Sequence, residues 1–222
     1  MISHIHKVLF VHVPKCAGQS IEMMFLRDLG LTWNTRGSLL LRQKLPDELG
    51  PERLAHLFAY EYEKFGYIEP SKFSQYFKFA LIRDPIDRIL SELNYRHIKK
   101  KGMSSSLGVS SVEEYITKLD KTFDKFSDHF RHIEPQVKYV FNEDRTQIIV
   151  DKIINFATID VSIDFISEKI LKNNQIKIGR KNVSEKKIWT KHSLSNEDIN
   201  FLTDYYKDDF NLLDQISLKK DF

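Results

Sequence analysis

Val11-His12-Val13-Pro14-Lys15-Cys16-Ala17-Gly18-Gln19-Ser20 and Phe79-Ala80-Leu81-Ile82-Arg83-Asp84-Pro85-Ile86-Asp87-Arg88-Ile89-Leu90-Ser91 decide how this chain is read. Each is an apolar run that ends in a polar turn and then takes up a helix-like pattern. The first turn carries a lysine and a glycine, the second two arginines and a serine. A strand that feeds a helix through such a turn aims backbone N–H groups and the positive helix end at one spot, where an anion can sit. Two such turns in one chain point to a ligand with two separate phosphate groups.

Working outward, Lys7 to Val13 predicts a short buried strand, and Ile21, Met24, Phe25 and Leu29 a helix that stops at Gly30. Ala59 to Phe65 predicts a helix, and Tyr76 to Ile82 a central strand. Asp84 is a natural N-cap and Pro85 a natural first helical residue, so a helix should run to about Lys99. The polar, lysine- and serine-rich stretch 99–111 predicts a mobile loop. Beyond it come a helix from Val112, a strand within 148–157 and a helix from Asp160 to Leu171. Residues 179–191 are basic, and Ser195 with Asp198 opens a final helix through Tyr206. Strands alternating with helices predict an α/β fold with a central, mainly parallel sheet flanked by helices.

The 222 residues suffice for one domain spanning 1–222. A net charge of +3 is too small to argue for nucleic acid but suits an anionic small molecule. A single cysteine excludes an internal disulfide framework and favours a reducing compartment. The N-terminal residues lack signal-peptide organisation, and no apolar stretch approaches a membrane span, so the expected location is cytoplasmic.

The loop at Lys15 is no Walker A sequence: the lysine precedes the glycine, and Gln19 occupies the later slot. On spacing alone, a phosphate cradle and a plain strand–helix turn both remain open. In the second turn, Arg88 and Ser91 are three apart and share a helix face. An arginine fork with a hydroxyl makes a phosphate clamp, although Arg88 also reads as a structural partner of Asp84 or Asp87.

Together the two turns resemble the nucleotide-binding signatures of the sulfotransferase superfamily, and most closely its carbohydrate, Golgi-type and bacterial branch. The first resembles the 5'-phosphosulfate loop and the second the 3'-phosphate element, here preceded by Tyr76-Phe77-Lys78-Phe79. Weaker likenesses extend through Leu54-Ala55-His56, Pro135-Gln136, Asn182-Val183-Ser184 and Tyr205 to Phe210. The resemblance implies a P-loop-like three-layer fold, the donor 3'-phosphoadenosine-5'-phosphosulfate, a hydroxyl acceptor expected to be a carbohydrate, and no metal. Lys15 would contact the bridging oxygen and the transferred group. Cys16, Ala17, Gly18, Gln19 and Ser20 would cradle the 5' end. Arg83 and Ser91 would hold the 3'-phosphate, with Arg180, Lys181 and Asn182 closing over it. Cys16 and Gln19 stand where the family commonly has threonine, and Ile154 to Thr158 lacks the family's usual arginine and glutamate, so no adenine contact is assigned there.

His56 is the expected general base, because an imidazole suits proton removal from an attacking hydroxyl. Glu61 and Glu63 are the alternatives. Cys16 reads as a small loop residue rather than a nucleophile, since Glu22 occupies the position where a phosphatase-type arginine would stand. His12 reads as structural. His129 and His132, three apart, have the spacing of a metal-binding pair, but the spacing suggests no third ligand. The rival readings are a P-loop-type nucleotide-dependent kinase and a non-catalytic anion-binding module.

Overall fold

The computed structural model describes residues 1–99, 111–173 and 189–218. Four strands form one sheet in chain order: β1 (Ile2–Ser3), β2 (Val8–Val11), β3 (Phe77–Ile82) and β4 (Lys152–Asn155). β1 pairs antiparallel with β2, whereas β2/β3 and β3/β4 are parallel. The fold is thus α/β with a mostly parallel sheet flanked by helices, consistent with a P-loop-like architecture. The Val-Leu-Phe-Val of β2 is buried throughout, as expected of a strand covered on both faces. Lys78 interrupts the apolar run of β3, yet it is buried: its Nζ donates to the carbonyls of Tyr76 at 2.9 Å and Phe73 at 3.2 Å and lies 3.2 Å from Asp151.

Helix α1 (Gly18–Asp28) follows β2 and ends where Gly30 takes a left-handed φ of 64°. α2 (Ala59–Lys64) and α3 (Pro70–Gln75) lead into β3. α4 (Pro85–Lys99) leaves β3, and the Asp84 carboxylate accepts the Asp87 N–H at 2.8 Å, the cap its sequence predicts. α5 (Val112–Thr122), α6 (Asp128–Ile133) and α7 (Val137–Val140) precede β4. Two expectations are corrected. The helix expected over 160–171 is α8 (Ile159–Phe165) followed by a π-helical turn, Ile166–Leu171. The final helix stops at Tyr205 as α9 (Asn196–Tyr205), and α10 (Lys207–Leu218) follows it. The anticipated loop at 99–111 lies almost wholly outside the described residues.

The buried apolar residues form two clusters. The larger surrounds the sheet, α1 and α2. The smaller lies among α4, α5 and α9, with Ile89, Leu93, Ile116 and Leu202 at its centre. Because β2 and β3 are parallel neighbours, paired from Val8 with Phe77 to Val11 with Ala80, their C-terminal ends lie side by side. The two turns singled out in the sequence therefore leave the same sheet edge together, the position at which open α/β sheets bind ligands.

Candidate active site

A cleft of about 800 Å³ opens at that edge. Lys15, Ala17, Gly18, Gln19, Ser20, His56, Arg83 and Ser91 all line it. Its basic lining residues are Lys15, Arg36, Arg42, Arg53, Arg83 and Lys191, against the acidic Glu22 and Asp87, so the cleft suits an anion. Arg180, Lys181 and Asn182 lie outside the described residues, as does most of the basic segment 179–191. Its last part, Trp189 to Lys191, lines the cleft.

The first turn is shaped by its backbone. Lys15 and Ala17 both adopt left-handed φ values, 69° and 60°, a conformation that costs a non-glycine residue free energy. Gly18 is required for a different reason: a Cβ there would sit 2.1 Å from the His12 imidazole. That ring is held in turn by Glu22 of α1, whose carboxylate is 2.5 Å from Nδ1. The Lys15 ammonium lies 3.8 Å from the centre of the Tyr95 ring, a cation–π contact that extends the side chain into the cleft. Cys16 points the other way. Its thiol is buried, 3.4 Å from Gln136 Oε1, and burial pushes its pKa up to about 12. Only its backbone can serve a ligand, and no reactive thiolate forms there.

The second turn is locked to the first. Arg83 Nη1 donates to the Lys15 carbonyl at 3.5 Å, and its guanidinium lies 4.7 Å from the centre of the Phe156 ring. Gln136 pairs with the Arg83 backbone in both directions, accepting from its N–H at 2.9 Å and donating to its carbonyl at 2.8 Å. The N–H groups of Gln136 and Val137 are held by the buried Asp209 carboxylate at 2.8 and 2.9 Å. Arg88 is fully buried and structural, but its partners differ from those anticipated. It donates to the carbonyls of His132 and Glu134 at 3.1 and 2.8 Å rather than to Asp84 or Asp87. Those two carboxylates face Lys191, at 3.6 and 3.3 Å. Asn94, which the sequence gave no reason to single out, donates to the Trp189 carbonyl at 2.8 Å and accepts its N–H at 3.0 Å. It thereby pins the returning chain beside Ser91.

His56 sits in a short 3₁₀ turn, Leu54–His56, and is buried among other histidines. The His12 ring lies edge-on at 4.9 Å and the His132 ring at 5.0 Å. Nε2 of His56 is 3.6 Å from Asp128 Oδ1 and 3.4 Å from His132 Nε2, whereas its Nδ1 is buried without a hydrogen-bond partner. Burial, and then the neighbouring His12 and His132, hold its pKa well below the ordinary histidine value. His132 behaves oppositely. Burial disfavours its charge, but the Glu92 carboxylate at 2.7 Å and Asp128 outweigh this, and its pKa is raised. The sequence offered His132 only as a partner of His129; its neighbour Asp128 stands one turn earlier on the same helix α6, whereas Glu92 of α4 meets it only in the fold. The alternative bases are displaced. Glu61 is buried in a bidentate pair with Arg131, at 2.9 and 2.7 Å, and Glu63 is exposed away from the cleft.

The profile of the sulfotransferase family matches residues 1–214 of the 222. The chain belongs to the sulfotransferase family. Neither the curated proteins nor the solved structures contain a significant match to it. Its chemistry is therefore sulfuryl transfer, and membership sets aside the kinase reading. No helix among the described residues of this sulfotransferase is long and apolar enough to cross a membrane.

Proposed function

We propose that this sulfotransferase moves the sulfuryl group of 3'-phosphoadenosine-5'-phosphosulfate to a hydroxyl of a carbohydrate acceptor. The observation that carries the reading is the junction of the two turns, where Arg83 reaches the Lys15 carbonyl across one basic cleft. A donor with a phosphate at each end of its ribose uses both turns at once. The 5' end lies on the backbone of Cys16 to Ser20 and the start of α1. The 3'-phosphate lies between Arg83 and Ser91. Trp33, Arg36, Arg42, Gln43 and Arg53 line the same cleft and offer the aromatic and polar surface that a hydroxyl-rich acceptor needs.

The acceptor oxygen attacks sulfur in line with the departing bridging oxygen. Lys15 stabilises the negative charge that grows on that oxygen, and His56 takes the hydroxyl proton. The depressed pKa of His56 keeps its ring neutral at neutral pH. On this reading Nδ1, which has no hydrogen-bond partner, is the atom that accepts the proton.

Adenosine 3',5'-bisphosphate tests the donor. It should stabilise the protein by about 2.7 kcal/mol at a hundredfold excess over its Kd, with ATP and AMP far less effective. Arg83→Ala should weaken it by about 1.5–3 kcal/mol, the range for a hydrogen bond to a charged group. An unchanged affinity in that variant would remove the second turn from the donor site. Labelled donor with a panel of sugar acceptors then separates an enzyme from a module that only binds.

A further inference from the structure

Three ligand-type atoms surround one point beside the cleft: His56 Nε2, His132 Nε2 and Asp128 Oδ1. Their separations are 3.4, 3.5 and 3.6 Å. All three residues are buried. These lengths are long for hydrogen bonds, and Asp128 Oδ1 has no hydrogen-bond partner although it is buried. The centre of a tetrahedron with edges of these lengths lies about 2.1 Å from each corner, within the range of zinc–nitrogen and zinc–oxygen bonds. The same separations are those between ligands on one face of a zinc tetrahedron. From this geometry we propose that His56, Asp128 and His132 form a binding site for a divalent transition metal, with Zn²⁺ the best fit.

The surroundings support a built site. Glu92 lies 2.7 Å from His132 Nδ1 and accepts its N–H, which leaves the lone pair of the neutral ring on Nε2. A carboxylate behind a ligating histidine is the usual outer-shell arrangement of zinc. Arg96 faces Asp128 Oδ2 at 3.6 Å and pairs with Glu92 at 2.5 Å, while Arg53 Nε lies 3.5 Å from Oδ1 itself and is the cation a metal would displace. Two imidazoles and one carboxylate select a borderline metal over Mg²⁺ or Ca²⁺, which take oxygen ligands. His12 is excluded as a ligand through Nδ1, which faces Glu22. His56 and His132 both line the cleft, so the fourth position opens toward it. The metal takes His56 Nε2 as a lone pair, which leaves the ring proton on Nδ1. On the reading that His56 is the base, Zn²⁺ therefore inhibits.

The test is titration of the metal-stripped full-length protein with Zn²⁺, and with Co²⁺ as an absorbing probe. One equivalent should bind, and Co²⁺ should give a tetrahedral visible spectrum. His56→Ala and His132→Ala should each weaken binding at least a hundredfold, and Glu92→Gln ten- to a hundredfold. His129→Ala, whose ring instead stacks on Phe123, should leave it unchanged. Circular dichroism establishes that each variant is folded, and His56→Ala decides the matter if His132→Ala is not. Absence of saturable binding, or binding untouched in His56→Ala, overturns the site. Binding of adenosine 3',5'-bisphosphate is measured in parallel. Saturation by Zn²⁺ without loss of turnover leaves the site standing and removes His56 as the base, so the two ideas fail separately.

Discussion

In the proposed mechanism Lys15 and His56 divide the chemistry between a charge and a lone pair. Lys15 is held against Tyr95 and emerges from a left-handed backbone, so its position is set before a ligand arrives. Because the bridging oxygen carries more charge in the transition state than in the ground state, Lys15→Ala should depress kcat more than donor binding. Steady-state kinetics beside bisphosphate titration checks this, and a rise in KM alone would reduce the lysine to a binding charge. His56→Ala should lose about 10²–10⁴-fold in rate with donor affinity retained. Its pH profile is a further check. A neutral base with a depressed pKa stays competent as pH falls, so the acidic limb of kcat/KM should lie below about 6.5, the unperturbed histidine value. A limb at or above that value would contradict the burial of His56.

At the scale of elements, the site depends on joints between turns. Gln136 connects the thiol of Cys16 and both backbone groups of Arg83, and Asp209 of α10 holds Gln136 in turn. Gln136→Ala should leave buried donors and acceptors unpaired, at a cost of about 1–3 kcal/mol in urea unfolding, and should weaken bisphosphate binding. Gly18→Ala places a methyl in the His12 ring, so it should disturb the first turn and lower donor affinity. Asn94 was invisible to sequence reading, because a lone asparagine in a helix carries no signal of a partner 95 positions away. The capped ends, by contrast, were legible: Asp84 and Ser195 cap their helices as their local spacing predicts, since a cap needs only a neighbour three residues on.

At the scale of the molecule, buried ions tie the crossovers together. Glu61 of α2 and Arg131 of α6 form a bidentate pair with almost no exposure, and Arg131 also lies over the Phe58 ring at 3.8 Å. Breaking such a pair typically costs about 3–5 kcal/mol, because it leaves an uncompensated buried charge. Glu61→Gln should thus lower stability in denaturant while the folded fraction keeps near-normal kcat; a dead but stable variant would restore Glu61 as the base. The histidine cluster gives stability two opposite dependences on pH. The raised pKa of His132 contributes stability present below about 6.5 and lost as pH rises through its folded value. His56, buried and neutral, contributes a loss as pH falls from about 6.5 toward its depressed folded value. His56→Gln should therefore unfold less readily on mild acidification than the parent, relative to its own stability at pH 8.

The sequence by itself determined the parallel α/β plan, the two strand-to-helix turns and the placement of Lys15, Arg83, Ser91 and His56 along a common cleft. It could do so because strands, caps and strand–helix turns are local patterns, and because parallel neighbours must release their loops at one edge. Only the tertiary structure decided that Cys16 faces the core, that Arg88 braces carbonyls instead of a ligand, and that Glu61 is bound to Arg131. Only the fold gathered His12, His56, His132, Glu92 and Asp128 into one buried cluster. The reason is physical. The charge state of a buried histidine depends on which groups the core packs against it, and here those groups come from α4, α6, the turn at His56 and the end of β2, most of them distant in the chain.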